Sequence, residues 1–187
     1  MRNLTIAAGA AFGALLLAGC FGSAPKAAAP EVAAQTWYTQ FTLQYEKGVH
    51  RTTNYRKGIV VPINTPVKVL ARSGNTIRVM LQPSGPELSI ENERDFSGED
   101  LQGIFDRTFK PAPVDLSRYT PEQLKVIQSG DRFGLIGMDR DGVIHAIGYP
   151  PKHHTPSLGL NTWKYWYTRF NTFAVEFVND RVERLRS

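Results

Sequence analysis

The stretch Leu135-Ile136-Gly137-Met138-Asp139-Arg140-Asp141-Gly142-Val143-Ile144-His145-Ala146-Ile147-Gly148-Tyr149-Pro150-Pro151 decides the fold, together with the aromatic segment downstream of it. After a polar loop come Trp163-Lys164-Tyr165-Trp166-Tyr167 and an apolar run from Phe173 to Phe177. Asp139 stands where a helix cap stands, and Val143, Ile144 and Ile147 recur at the three-and-four spacing of one buried helix face. Gly148 and Pro150 end that helix. Its apolar residues are β-branched and only moderate helix formers, so packing against the downstream chain must hold it. That downstream chain is aromatic and β-prone. The stretch therefore predicts a helix docked on an antiparallel sheet.

Working outward, a second helix is marked just upstream. Thr120 caps it, Pro121 occupies its first turn, Gln123 completes a capping box, and Ser129-Gly130 stops it. Leu124 and Ile127 carry its buried face, and Asp131 to Gly137 is a compact linker. Downstream, Trp163, Tyr165 and Tyr167 form the inward row of a strand. Asn171-Thr172 turns the chain, Phe173, Val175 and Phe177 form the next inward row, and Asn179-Asp180 makes a hairpin before Val182 and Leu185. The order is helix, helix, three antiparallel strands. Trp166 falls on the opposite face, where another domain, an oligomer or a separate partner must cover it. With Lys164 and Arg169 it forms the candidate partner contact, since tryptophan and arginine are effective interface anchors.

The region before the helices is β-rich. Trp37, Thr39, Phe41 and Leu43 alternate with polar neighbours as one half-buried strand. Gly58 to Leu70 gives two short strands around a Pro62-Ile63-Asn64-Thr65-Pro66 turn, and Ser73-Gly74-Asn75 turns into Thr76 to Leu81. Pro83 to Pro86 then leads to Leu88-Ser89-Ile90. Such strands suggest a small barrel or strongly bent sheet. Ser97-Gly98-Glu99-Asp100 opens a helix with Leu101, Ile104 and Phe105 on one face, ending near Thr108 before Pro111 and Pro113. The proline-rich gap from Pro111 to Tyr119 is the predicted boundary between two halves.

The chain starts with Arg2 and an apolar run from Leu4 to Ala18 that stops at Leu17-Ala18-Gly19-Cys20. The run is short for a bilayer-crossing helix and reads as a signal peptide. Its last four residues resemble the lipobox of bacterial lipoproteins. That resemblance implies cleavage before Cys20 and acylation of Cys20, with palmitate-type chains that together anchor the protein stably. Cys20 is the one cysteine in the sequence, which excludes an internal disulfide and any CxxC site. Phe21 to Gln35, rich in Ala and Pro, reads as a tether. Phe21 replaces the aspartate that resembles an inner-membrane retention signal in Gram-negative lipoproteins, so the resemblance implies an outer-membrane, periplasm-facing location.

Net charge is +5, and removing Arg2 with the leader lowers it by one. The basic residues are scattered and form no nucleic-acid motif, so nucleic acid is not an expected partner. His153 and His154 are adjacent with no nearby Asp, Glu or Cys to complete a metal shell, so no metal and no cofactor beyond the Cys20 lipid is expected. Ser84, Ser89 and Ser97 lie in turn, strand and cap contexts without a nucleophile elbow. Asp139 and Asp141, two residues apart, do not face each other on a helix. A catalytic role is therefore not expected; a periplasmic enzyme is the minor alternative.

Gly137-Met138, Val143, Gly148, Pro150, Trp163 and Tyr165 resemble the BamE (SmpA/OmlA) family of outer-membrane lipoproteins. The turn around Asn64-Thr65-Pro66-Val67 and the Gly74 hairpin resemble bacterial SH3-like modules. These resemblances imply an α+β protein: an N-terminal small β-barrel-like or bent-sheet module plus a C-terminal αα-βββ module. The expected organisation is leader 1–19, lipidated cysteine and tether 20–35, SH3-like module 36–96, helix and Pro-rich connector 97–117, and BamE-like module 118–187. The BamE resemblance implies a noncatalytic envelope protein that binds a protein partner such as the barrel-assembly machinery, in outer-membrane assembly or maintenance. The SH3-like resemblance implies the alternative, a lipoprotein binding peptidoglycan or a peptide ligand.

Overall fold

The computed structural model describes residues 35–187. The expected leader, Cys20 and the expected tether up to residue 34 lie outside the described residues. The protein is α+β, with a curled half-barrel sheet.

That sheet is built from short strands. β1 (Thr36–Thr39), β2 (Leu43–Tyr45), β3 (Val49–Arg51) and β4 (Ile59–Val61) precede the longer β5 (Pro66–Ser73), β6 (Thr76–Leu81) and β7 (Glu87–Glu91). Helices α1 (Arg94–Ser97) and α2 (Leu101–Thr108) come next, then β8 (Phe109–Lys110). Six strands pair in the order β3-β7-β6-β5-β1-β8, with β2 and β4 forming a separate pair. Only β3 and β7 run parallel within the larger sheet. A register shift between Val69 and Ala71 bends β5 and helps the sheet curl. Alternation puts Ile77 and Val79 of β6 inward beside Leu88 and Ile90 of β7, and all four are buried. Helix α2 lays Ile104 and Phe105 onto this core. The Asp100 side chain caps α2 by accepting from Gly103 N, satisfying one of the orphan amides of its first turn.

The second half matches the sequence pattern closely. Thr120 and Gln123 form both arms of the capping box of α3 (Pro121–Ser129), and Gly130 ends it in the left-handed conformation. A 3₁₀ turn (Arg132–Leu135) leads to α4 (Arg140–Ile147), whose amide at Gly142 bonds Asp139 Oδ1 at 2.7 Å. Then β9 (Thr162–Trp166), β10 (Thr172–Val178) and β11 (Arg181–Arg186) pair antiparallel in the order β11-β10-β9. The β10–β11 turn places Asn179 at φ 48 and Asp180 at φ 59, the two left-handed residues of a tight hairpin. Trp163 and Tyr165 are fully buried against Phe173, Val175 and Phe177 and the α3 and α4 residues Ile127, Val143 and Ile147. Trp163 packs on Phe177 with ring centres 4.7 Å apart, and Tyr165 stacks on Phe173 at 5.4 Å. Each such aromatic burial contributes several kcal/mol, the order of ~3–5 kcal/mol lost on truncation to alanine.

Two expectations are corrected. Trp37 to Leu43 is not one strand: β1 ends at Thr39, and β2 starts at Leu43 in another sheet. Phe41, Thr42 and Leu43 are buried in succession, which an alternating strand cannot achieve. The chain is diverted there because Gln40 N bonds Thr108 O at 2.9 Å and Thr42 N bonds His145 O at 2.9 Å. Tyr167 does not continue the inward row of Trp163 and Tyr165. β9 stops at Trp166, the Tyr167 amide turns to Asn171 O at 2.8 Å, and the side chain is 41% exposed. The short elements α1, β3 and β8 have no counterpart in the sequence pattern.

Buried polar groups join the two halves. The Asn54 amide donates to Ile147 O at 2.7 Å, a carbonyl that α4 leaves unpaired at its end, and to Tyr149 O just beyond the helix at 3.0 Å. Arg56 is buried without a carboxylate. It donates to Thr42 O at 3.3 Å, Asn54 Oδ1 at 3.2 Å and Ala146 O at 3.5 Å, and burial pushes its pKa down to about 10. The α4 C-terminus supplies partial negative charge where a carboxylate would otherwise stand. Gly148, at φ +75, must be glycine twice over: the backbone is strained for other residues, and a Cβ would sit 2.7 Å from the Phe41 ring. Thr42 Oγ1 donates to Ile127 O at 2.6 Å, and Ile63 belongs to the core around Trp163.

Candidate functional site

Arg132 opens the 3₁₀ turn between α3 and α4. Asp131 caps the turn by accepting from Phe133 N at 3.0 Å, and Leu135 points into the core. The same geometry leaves Phe133 outside, 71% exposed. Gly137 N bonds Val182 O and Val182 N bonds Met138 O, both at 2.8 Å, pinning the end of this segment to β11. Across from it, the β9–β10 loop is held by Thr168, whose hydroxyl accepts from Phe170 N at 3.3 Å and Asn171 N at 3.2 Å. Phe170 stands at the loop's tip, 84% exposed.

The Arg132 guanidinium joins these pieces. Its carbon lies 4.3 Å from the Tyr167 ring centre, 4.6 Å from Phe133 and 5.1 Å from Phe173. A planar cation among ring faces gains cation–π energy at each and fixes their spacing. An open groove of about 450 Å³ runs between Arg132, Tyr167, Phe170 and Thr172. Two phenylalanines this exposed beside a positioned arginine are the residue types that anchor protein interfaces, and here the folded chain leaves them bare.

The sequence-derived contact residues divide. Arg169 is exposed on this surface, with its guanidinium 6.0 Å from the Phe170 ring. Lys164 is half-buried, and its amide donates to Thr155 Oγ1 at 2.9 Å. Trp166 faces away from Trp163, but the chain's own loop covers it. His154 and His153 lie over it at ring-centre distances of 5.5 and 6.1 Å, and the two imidazoles are 3.9 Å apart. The Trp166 Nε1 is buried and has no hydrogen-bond partner among the described residues. Burial holds both imidazoles below the ordinary histidine pKa, with Lys164 nearby pushing the same way. The paired histidines thus serve aromatic packing. Sequence pattern assigns Arg132, Phe133 and Phe170 only to linker and turn, and no local spacing separates the exposed Phe133 from the buried Leu135 two residues on.

A second polar cluster lies on the α4 N-terminal side. Arg118 Nη2 meets Asp139 at 3.2 Å, Asp141 at 3.1 Å and the Tyr119 hydroxyl at 2.6 Å. The two aspartates therefore do converge, through the arginine between them. Because Arg118 can only donate, Tyr119 accepts from it and donates its own proton to His145 Nδ1, 3.1 Å away. His145 then carries its neutral-state proton on Nε2. Burial keeps Tyr119 protonated and His145 neutral, raising the one pKa and lowering the other. The arrangement locks helix α4 and its cap and includes no serine, threonine or cysteine nucleophile.

Among the described residues no helix is long and apolar enough to cross a membrane, and no group of three or more His, Cys, Asp or Glu side chains is placed to hold a metal ion. No family model, curated protein or solved structure matches the chain.

Proposed function

We propose that this chain is a noncatalytic envelope lipoprotein, anchored by lipid on Cys20 to the outer membrane and facing the periplasm. Its BamE-like αα-βββ half binds a partner protein as a scaffold or accessory in outer-membrane assembly or maintenance, with the barrel-assembly machinery as the expected partner. The SH3-like half braces that unit. One observation carries the reading: Phe133, packed on the Arg132 guanidinium, and Phe170, which lines the same groove as Arg132, are held outside the core with 71% and 84% of their surface free. Leaving two such rings in water forgoes burial worth roughly 1.5–3 kcal/mol each, a loss that a bound partner recovers. Arg169 flanks the surface, and Lys164 and Trp166 continue the β9 strand behind it.

The test is a photo-reactive residue at position 171 in the native envelope, with captured material identified by mass spectrometry. Barrel-assembly components should be captured, and Phe170→Ser should remove them while leaving the unfolding midpoint unchanged. Capture of wall material in their place, or capture insensitive to Phe170→Ser, overturns the reading.

A further inference from the structure

A separate pocket of about 320 Å³ opens where α2 meets the loop after α4. One end is ionic. Glu99 Oε1 takes Arg107 Nη1 at 3.1 Å and Lys152 Nζ at 2.9 Å, so one carboxylate serves two cations and the end keeps a net positive charge. The other end is apolar, formed by the Tyr149 ring with Pro150, Pro156 and Leu158.

Arg107 is the informative residue. Its side chain is only 16% exposed, and its guanidinium carbon lies 4.9 Å from the Tyr149 ring centre. Its bond to Glu99 occupies one of its five donors; among the described residues the side chain makes no other hydrogen bond. The remaining Arg107 donors are not among the buried side-chain atoms that lack a partner, and Arg107 lines this pocket as well as the neighbouring groove beside Asp106 and Lys110. A guanidinium held by one carboxylate and stacked on a ring presents a preorganised fork, and that fork matches a second planar carboxylate. The pocket's size and its balance of a mainly apolar wall with a few convergent polar groups are those of a small-ligand site.

We propose that this pocket binds a monocarboxylate attached to a compact apolar body, with the carboxylate between Arg107 and Lys152 and the apolar group against Tyr149 and Leu158. Such a group occurs at the free C-terminus of a peptide ending in an aliphatic residue and on a short acyl chain. The site is separate from the Arg132 surface and does not depend on the partner proposed for it.

The full chain in detergent is titrated with N-acetyl-leucine, N-acetyl-leucinamide and hexanoate, tracking nuclear magnetic resonance signals of Leu158 and Thr155. The acid should bind at least about tenfold more tightly than its amide, because the charged hydrogen bonds to the fork are lost with the charge. Tighter binding of N-acetyl-leucine than of hexanoate identifies a peptide end as the ligand, and the reverse identifies an acyl chain; both support the site. Lys152→Met, at a side chain 47% exposed, should weaken the acid severalfold without altering the fold. Equal affinity for acid and amide, shifts elsewhere only, or no shift with any of the three probes overturns the proposal. Arg107→Lys keeps the charge and removes the fork, so undiminished acid binding by a folded Arg107→Lys chain also overturns it.

Discussion

His50 makes the stability of this fold depend on pH in a calculable way. It sits in β3, buried, with Nδ1 at 2.8 Å from Gln44 O. A carbonyl only accepts, so Nδ1 carries the proton and donates, which the neutral ring can do. Burial is the main force on its titration and pushes the pKa down to about 4; the Gln44 bond opposes this, and Arg56 and Arg107 reinforce it. In the unfolded chain the same group titrates near 6.5. The folded pKa is the lower one, so between the two values the unfolded chain binds a proton that the folded chain refuses. Stability is therefore whole above pH 6.5 and falls as pH drops from about 6.5 towards 4. At about 1.4 kcal/mol per pH unit, the loss is ~2 kcal/mol at pH 5 and ~3 kcal/mol at pH 4. That is a large share of the roughly 5–15 kcal/mol that holds a domain folded. Urea unfolding at pH 7.5, 6, 5 and 4.5 measures it. The control is His50→Asn, whose side-chain amide can donate to Gln44 O and does not titrate. His145, His153 and His154 also have pKa values lowered chiefly by burial, so they contribute a slope of the same sign in both proteins. The difference between the two slopes isolates His50. Parallel pH dependences for the parent and His50→Asn would refute the reasoning.

The packing and the sequence set three further outcomes. Trp163→Ala should destabilise the protein by about 3–5 kcal/mol, whereas Trp166→Ala, which loses its stacking on two imidazoles, should cost roughly 1 kcal/mol. Equal losses in urea unfolding would count against the different placements of the two rings. A chain starting at Asp115 keeps the Trp163 core but lacks Ile63 and the caps from Thr42 and Asn54. It should unfold cooperatively at a lower denaturant midpoint, and absence of any transition rejects 118–187 as a module of its own. Cys20→Ala should abolish the N-terminal lipid adduct, and mass spectrometry finding the same unmodified N-terminal peptide in parent and variant rejects the anchor.

The second half is legible in the sequence because its signals are local. Thr120 and Gln123 cap α3 from three residues apart, Asp139 caps α4 by the same spacing, and Asn179-Asp180 needs only its own two φ angles to close the hairpin. Trp163 and Tyr165 go inward because strand alternation is fixed by the pleat. Tyr167 breaks the pattern because the strand ends first, which depends on the Tyr167–Asn171 bond and not on residue type. The exposed surface is half legible. Sequence leads to β9 and to Arg169, but the choice between Trp166 and Phe170 depends on where His153 and His154 come to lie. Their positions depend on a loop that starts at Pro150, and alternation says nothing about it.

The segment from Thr52 to Arg56 is the least legible, and it explains how the marginal helix α4 survives. Its residues are polar and without period, yet Thr52, Thr53, Asn54 and Arg56 are all buried. Local pattern cannot justify burying Asn54 and Arg56, because the carbonyls they satisfy belong to Ala146, Ile147 and Tyr149. Conversely, α4 has β-branched residues on its buried face and unpaired carbonyls at its end, and nothing nearby in sequence closes them. Each segment taken alone leaves buried polar groups unpaired; together Asn54 Nδ2, the two Arg56 Nη atoms and the carbonyls at the end of α4 find partners, while Thr53 Oγ1 and Arg56 Nε have none among the described residues. Breaking this seam leaves a buried guanidinium and helix carbonyls without partners, a cost of several kcal/mol that falls on both halves at once. Asn54 and Arg56 therefore couple the curled sheet to α4, although neither carries any feature that a sequence pattern rewards.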